Sequence, residues 1–198
     1  MRDMLKNVKK IWNEITEGWF GYVVYAILGI LIAYFVNYVL GMTLNTKMPL
    51  VVIVSNSMSH SPNSHICGTF IYNYKNNFDE YWLACNKTYE KFNITKEIFI
   101  KFPFKNGLEI GDVVVVMGDK VYKVGDVIVY QPKNARYSVI HRIVAINEDG
   151  TYQTKGDRNN AQFPYEKNIH ESQIYGKAIF RIPLIGWPRV LVNWVMEI

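Results

Sequence analysis

From Gly18 to Thr46 the chain carries no Asp, Glu, Lys or Arg, and residues 19–42 are mostly Phe, Tyr, Val, Ile, Leu, Ala and Gly. A bilayer core of about 30 Å takes roughly 20 apolar residues of helix, which this stretch supplies. A helix packed on a soluble core would keep a polar face, and this one shows none. A cleavable secretion signal has a shorter apolar region ending in small residues, whereas this one runs out through Tyr38-Val39-Leu40-Gly41-Met42. The sequence therefore predicts an uncleaved membrane anchor over residues 19–42, with Trp19, Phe20, Tyr22 and Tyr38 as interfacial aromatics. Arg2, Lys6, Lys9 and Lys10 precede the anchor, and Lys47 alone follows closely. That asymmetry predicts a cytoplasmic segment over 1–18 and an extracytoplasmic remainder from about residue 43, in a single-pass protein of the cell membrane.

At 198 residues the chain has room for one domain besides the span. Its net charge of +5 is spread without a basic cluster, which argues for solvation and against a nucleic-acid partner. Both cysteines, Cys67 and Cys85, fall on the outer side of the anchor. In an oxidising compartment such a pair is more often a disulfide than a metal site. A zinc site drawing on His60, His65 and Cys67 is the competing reading, but its spacing lacks a compact ligand pair. The expectation is a Cys67–Cys85 disulfide, with no metal and no cofactor.

Beyond the anchor, residues 50–57 read as a strand running into a turn at Ser57. An insertion over 60–107 follows, in which Phe78, Tyr81, Trp82, Cys85 and Tyr89 recur at helical spacing. Its aromatics suit either a small satellite core or a surface dipping into lipid headgroups. Gly111-Asp112 and Gly125-Asp126 each precede a β-branched run, and residues 137–146, 150–154 and 174–180 add further strand candidates. The fold class expected is mainly β: an antiparallel sheet or barrel-like domain over 43–182, with an N-terminal transmembrane helix and an α-helical, aromatic insertion. The tail, 183–198, is apolar but broken by Pro183, Pro188 and Arg189, so it reads as an interfacial or packed segment.

Three short elements could carry chemistry. Ser55-Asn56-Ser57-Met58 ends an apolar run, and a serine there can act as a nucleophile only with a base nearby. His141-Arg142 offers an imidazole, which titrates close to neutral pH. Lys155-Gly156-Asp157 offers a carboxylate in a polar turn. Taken singly, each has a bland reading as a turn cap, a core histidine or a commonplace turn. Their order downstream of one anchor resembles the type I signal peptidases, in their archaeal and endoplasmic-reticulum Ser-His branch. The resemblance spans most of the chain and implies Ser57 as nucleophile, His141 as general base and Asp157 as the acid that orients it. It also implies that the Ser55 hydroxyl joins the Ser57 backbone N–H in stabilising an oxyanion.

The implied activity is a membrane-bound serine endopeptidase that cleaves signal peptides from exported preproteins after small residues. The implied partners are preproteins, the lipid bilayer and the translocation machinery. Two departures stand out. His60 occupies the family's usual proline position and could compete as the base. Gln162 and Phe163 stand where a second aspartate is usual, and Glu166 is a candidate substitute although its spacing differs. The alternative is therefore an inactive relative that binds signal sequences or partners.

Overall fold

The computed structural model describes residues 2–16, 18–61, 65–70, 77–133 and 135–196, and separates into two compact units, 1–43 and 44–198. In the first, helix α1 (Arg2–Thr16) is followed by α2 (Gly18–Thr43). Leu5, Val8, Ile11 and Trp12 recur at helical spacing on α1 and are exposed, with Lys6, Lys9 and Lys10 between them. The second helix is long and apolar enough to cross a membrane. Its large side chains, Phe20, Ile27, Leu31, Phe35 and Val39 among them, are exposed.

The second unit is built on six strands: β1 (Leu50–Val52), β2 (Val113–Met117), β3 (Val127–Tyr130), β4 (Val139–Ile146), β5 (Tyr152–Lys155) and β6 (Ile174–Ile182). All pairs are antiparallel, in the order β1-β2-β6-β3-β4-β5. Register shifts at Val115/Val116, Val129/Tyr130 and Ile143/Ala145 each set an extra residue against a partner strand. Such bulges bend a strand and raise its twist, and the sheet curls into a half-barrel.

Period-two alternation divides the core between the faces of this sheet. Val127 and Val129 of β3 pack with Ile53, Met58, Leu108 and Val114 on one side. Ile128 and Tyr130 pack with Tyr122, Ile143, Tyr152 and Ile169 on the other. β1 is shorter than the sequence suggested: pairing stops at Val52, and the chain reaches Ser57 through an exposed Val54 and Ser55 into a 3-10 turn, Asn56–Met58.

The insertion forms helix α3 (Phe78–Glu90) and a short α4 (Lys96–Phe99). Asn77 caps α3 by accepting the Glu80 N–H at 2.9 Å, and Asp79 and Glu80 suit the positive end of the helix. Tyr81, Cys85, Tyr89, Ile94 and Phe99 are buried together, so the aromatics make a satellite core rather than a lipid-facing surface. Cys67 and Cys85 are joined across it by a disulfide, with Cα atoms 5.2 Å apart. The tail contains helix α5 (Trp187–Met196), whose start is docked: Trp187 lies against Gly111, where a Cβ would come within 2.7 Å of the indole nitrogen. Val190 is buried, while Leu191, Val192, Trp194, Val195 and Met196 are exposed.

The disulfide closes a loop over a sequence separation of 18. Chain entropy then gives it a contribution of about 3 kcal/mol. The Cys67→Ser/Cys85→Ser variant is expected to unfold in denaturant with ΔG lower by about that amount and an altered m-value. Identical unfolding curves would remove this role from the bridge.

Candidate functional site

Ser57 sits in the 3-10 turn that begins after Ser55, and the turn is tied down on three sides. Met58 is fully buried in the sheet core, and its carbonyl accepts the Leu108 N–H at 2.9 Å. The Ser59 hydroxyl donates to Glu109 Oε2 at 2.6 Å. The Arg158 N–H donates to the Ser57 carbonyl at 2.9 Å, which joins the turn to the 156–159 loop. With its backbone held, Ser57 is left half-buried, and its Oγ lies 3.3 Å from the exposed Ser55 Oγ.

His141 and Arg142 are neighbours on β4, so their side chains leave opposite faces of the sheet. His141 is buried and faces a groove of about 560 Å³ shared with Ser55, Ser57 and Asn159. Val51, Val52, Val54, Val129, Ile140, Phe163 and Tyr165 give that groove an apolar lining, and Asn193 of α5 adds a polar group. One of its walls is the edge strand β1, which pairs through one side only among the described residues. A free edge can accept an extended peptide as a further strand.

The carboxylate on His141 is not the one the sequence pointed to. His141 Nδ1 is 2.5 Å from Glu166 Oε1, and Glu166 is fully buried. Its other oxygen accepts the Phe163 N–H at 2.6 Å. Spacing counted along the chain placed Glu166 too far away. In the structure, a 3-10 turn over Pro164–Glu166 folds it back, and Gln162 Nε2 pins the preceding segment to the Thr154 carbonyl at 2.9 Å. The available signal was local: a proline opening a turn, with a glutamate two residues on that can reach back to the backbone N–H before it.

Asp157 instead faces the insertion. Arg142 grips it through Nε to Oδ1 at 2.9 Å and Nη2 to Oδ2 at 2.7 Å. The Tyr89 hydroxyl donates to Oδ1 at 3.0 Å, and His60 Nε2 lies 3.0 Å from Oδ2. Burial alone would raise the Asp157 pKa. The Arg142 charge and the bonds from His60 and Arg142 outweigh it and hold the carboxyl well below the usual carboxylate range. The sequence placed Asp157 beside His141, whereas in the structure its side-chain bonds go to Arg142, His60 and Tyr89.

His60, the competing candidate for the base, lines a separate polar cavity with Glu109 and Arg181 and is stacked on Tyr81 at 3.4 Å. Burial lowers its pKa against the opposing pull of Asp157. The alternative zinc set is dispersed, with Cys67 in a disulfide and the His65 ring against Phe70.

Gly156 is where the site closes. A Cβ built there would stand 2.9 Å from His141 Nε2, 2.9 Å from the Ser57 carbonyl and 2.6 Å from Asn159 Nδ2. The Ser57 turn and His141 Nε2 therefore share one small patch of backbone that only glycine leaves open. Gly156→Ala is expected to lower any hydrolytic turnover at least tenfold with the fold retained, since the displaced neighbours are His141 and the Ser57 backbone. Unchanged turnover would mean that these two groups tolerate displacement.

Beneath this patch Lys155 is fully buried, its Nζ donating to the Gly156 carbonyl at 3.0 Å and lying over the Tyr89 ring. Burial lowers its pKa to about 7, against the pull of Asp157 and Glu166. An unfolded lysine keeps its proton to about pH 10.4. Between those values unfolding takes up a proton, so stability contributed by this group rises with pH. Relative to Lys155→Met, the parent is expected to gain about 1 kcal/mol per unit from pH 7 to 9 in denaturant titrations. Parallel curves for the two proteins would refute the lowered pKa.

Among known proteins, no family model matches the chain. A curated relative does: the signal peptidase complex catalytic subunit sec11 of Dictyostelium discoideum is 29% identical over an 86-residue alignment, covering 39% of this chain and 48% of the relative. The match spans about half of that protein's length. It supports a place in the signal peptidase family at a distance, and with the apolar N-terminal helix it supports a membrane protein concerned with signal-peptide processing.

Proposed function

We propose that this chain is a membrane-bound serine endopeptidase of the Ser-His type, which removes N-terminal signal peptides from exported preproteins after small residues. The observation that carries the reading is His141, held on Nδ1 by buried Glu166 while Nε2 lies against the Ser57 turn in an apolar groove. Ser57 Oγ turns from Ser55 to His141 Nε2 and attacks the scissile carbonyl as His141 takes its proton. Glu166 offsets the imidazolium charge. The Ser57 N–H and Ser55 hydroxyl receive the developing oxyanion. His141 then protonates the leaving amine, and water attacking the acyl-enzyme repeats the cycle.

In this reading Asp157 acts through Arg142 as a support of the loop. The N-terminal segment is cytoplasmic and the second unit extracytoplasmic, as the flanking charges suggest, with the exposed face of α5 at the lipid interface. The translocation machinery is the expected neighbour. The missing second aspartate was the feature that favoured an inactive binding subunit, and Glu166 fills that gap.

Preprotein cleavage with the purified chain tests this. Ser57→Ala and His141→Ala are expected at background, because nucleophile and base act as a unit. Glu166→Gln should lose roughly 10³-fold or more in turnover with little change in thermal midpoint. Asp157→Asn should instead lose stability by about 3 kcal/mol or more, since it leaves buried Arg142 uncompensated. The reverse pattern would return the supporting role to Asp157, and full activity of Ser57→Ala would end the proposal.

A further inference from the structure

Asn159 has a side chain that the mechanism above does not use. Its backbone is fixed, the N–H donating to the Gly156 carbonyl at 2.9 Å. The side chain lines the groove with Ser57 and His141. Yet Nδ2 is buried with no hydrogen-bond partner among the described residues, beside the same Gly156 position that His141 Nε2 approaches. Neighbouring side chains in this loop are engaged: Arg158 Nη1 donates to the Ser61 carbonyl at 2.9 Å and Gln162 Nε2 to Thr154.

We propose that Asn159 is a substrate-binding donor, its carboxamide N–H bonding a backbone carbonyl oxygen of the peptide that occupies the Ser57–His141 groove. Buried amides are normally paired, and an unpaired one at the edge of a groove is a group held for an occupant. Because no acceptor among the described residues holds it, the carboxamide can turn toward a ligand without giving up a bond. The groove's lining is largely aliphatic and aromatic, while an extended peptide brings a carbonyl at every residue, each needing a partner once dehydrated. A carboxamide suits this place because it is a neutral donor. A lysine or arginine so near Nε2 would oppose the charge that His141 gains as it accepts a proton.

The inference rests on the peptidase reading for its ligand class, and its test does not need turnover. In the full-length Ser57→Ala protein, binding of a fluorescent peptide spanning a preprotein cut site is measured with Asn159, Asn159→Ala and Asn159→Asp. Both substitutions should weaken binding about tenfold at an unchanged thermal midpoint, Asn159→Asp because it presents oxygens to the carbonyl at nearly the same size. With Ser57 restored, kcat/KM should fall by a similar factor. Equal affinities in all three proteins would overturn the proposal, as would failure of the Ser57→Ala protein to bind the peptide. Weak binding by Asn159→Ala that Asn159→Asp restores would make Asn159 a packing residue, which also overturns it. If the Ser57 protein cleaves nothing while the Asn159 variants still bind more weakly, the peptidase reading fails and the binding role of Asn159 stands.

Discussion

The fold of the second unit turns on a single buried ion pair, Arg142 with Asp157. Both side chains are fully removed from solvent. Arg142 places its five N–H donors on Asp157 and on the carbonyls of Pro103, Phe104 and Gly125, while its guanidinium lies 4.9 Å from the Phe99 ring. Two ions out of water are costly unless their remaining hydrogen-bonding capacity is met, and here it is met from three separate segments. The pair therefore joins β4, the insertion and the 156–159 loop. Tyr81 and Lys155 complete the join by donating to the Asp157 carbonyl, against which the disulfide sulfurs also pack.

From that junction the groove side of the sheet follows by alternation. Arg142 faces the insertion, so His141 must face the groove, and no local freedom remains to exchange them. Likewise Asp157 faces inward while Gly156, one residue earlier, turns its bare Cα toward His141 Nε2 and the Ser57 carbonyl. The Arg158 N–H then closes the circuit onto Ser57. The insertion, at first sight an appendage, is thus a support for the loop on which the Ser57 turn rests.

Several features were legible from the chain alone, for physical reasons that act over short distances. The N-terminal apolar helix was readable because an uncharged apolar run of that length has few alternatives to helix. The strands after Gly111 and Gly125 were readable because β-branched runs behind turn residues specify a sheet edge to edge. The helix over Phe78–Glu90 declared itself by its spacing. The burial of its aromatics did not, because one apolar face fits a protein core and a lipid surface equally well. The end of β1 was misjudged for a similar reason: Val54 is as apolar as Val52, and only the partner strand decides where pairing stops.

By itself the sequence determined the long apolar helix, the mainly β domain and the candidate nucleophile and base, since each depends on composition or period within a few residues. Only the tertiary structure decided which carboxylate serves the imidazole. Asp157 and Glu166 are both acids near the histidine in sequence order, and both are fully buried. Nothing in a linear spacing says that Arg142 claims the first, or that the turn at Pro164 returns the second to Nδ1. A hydrogen-bonded partner is set by where two backbones meet in space, and that is fixed only when the sheet has curled and the loop has closed on it.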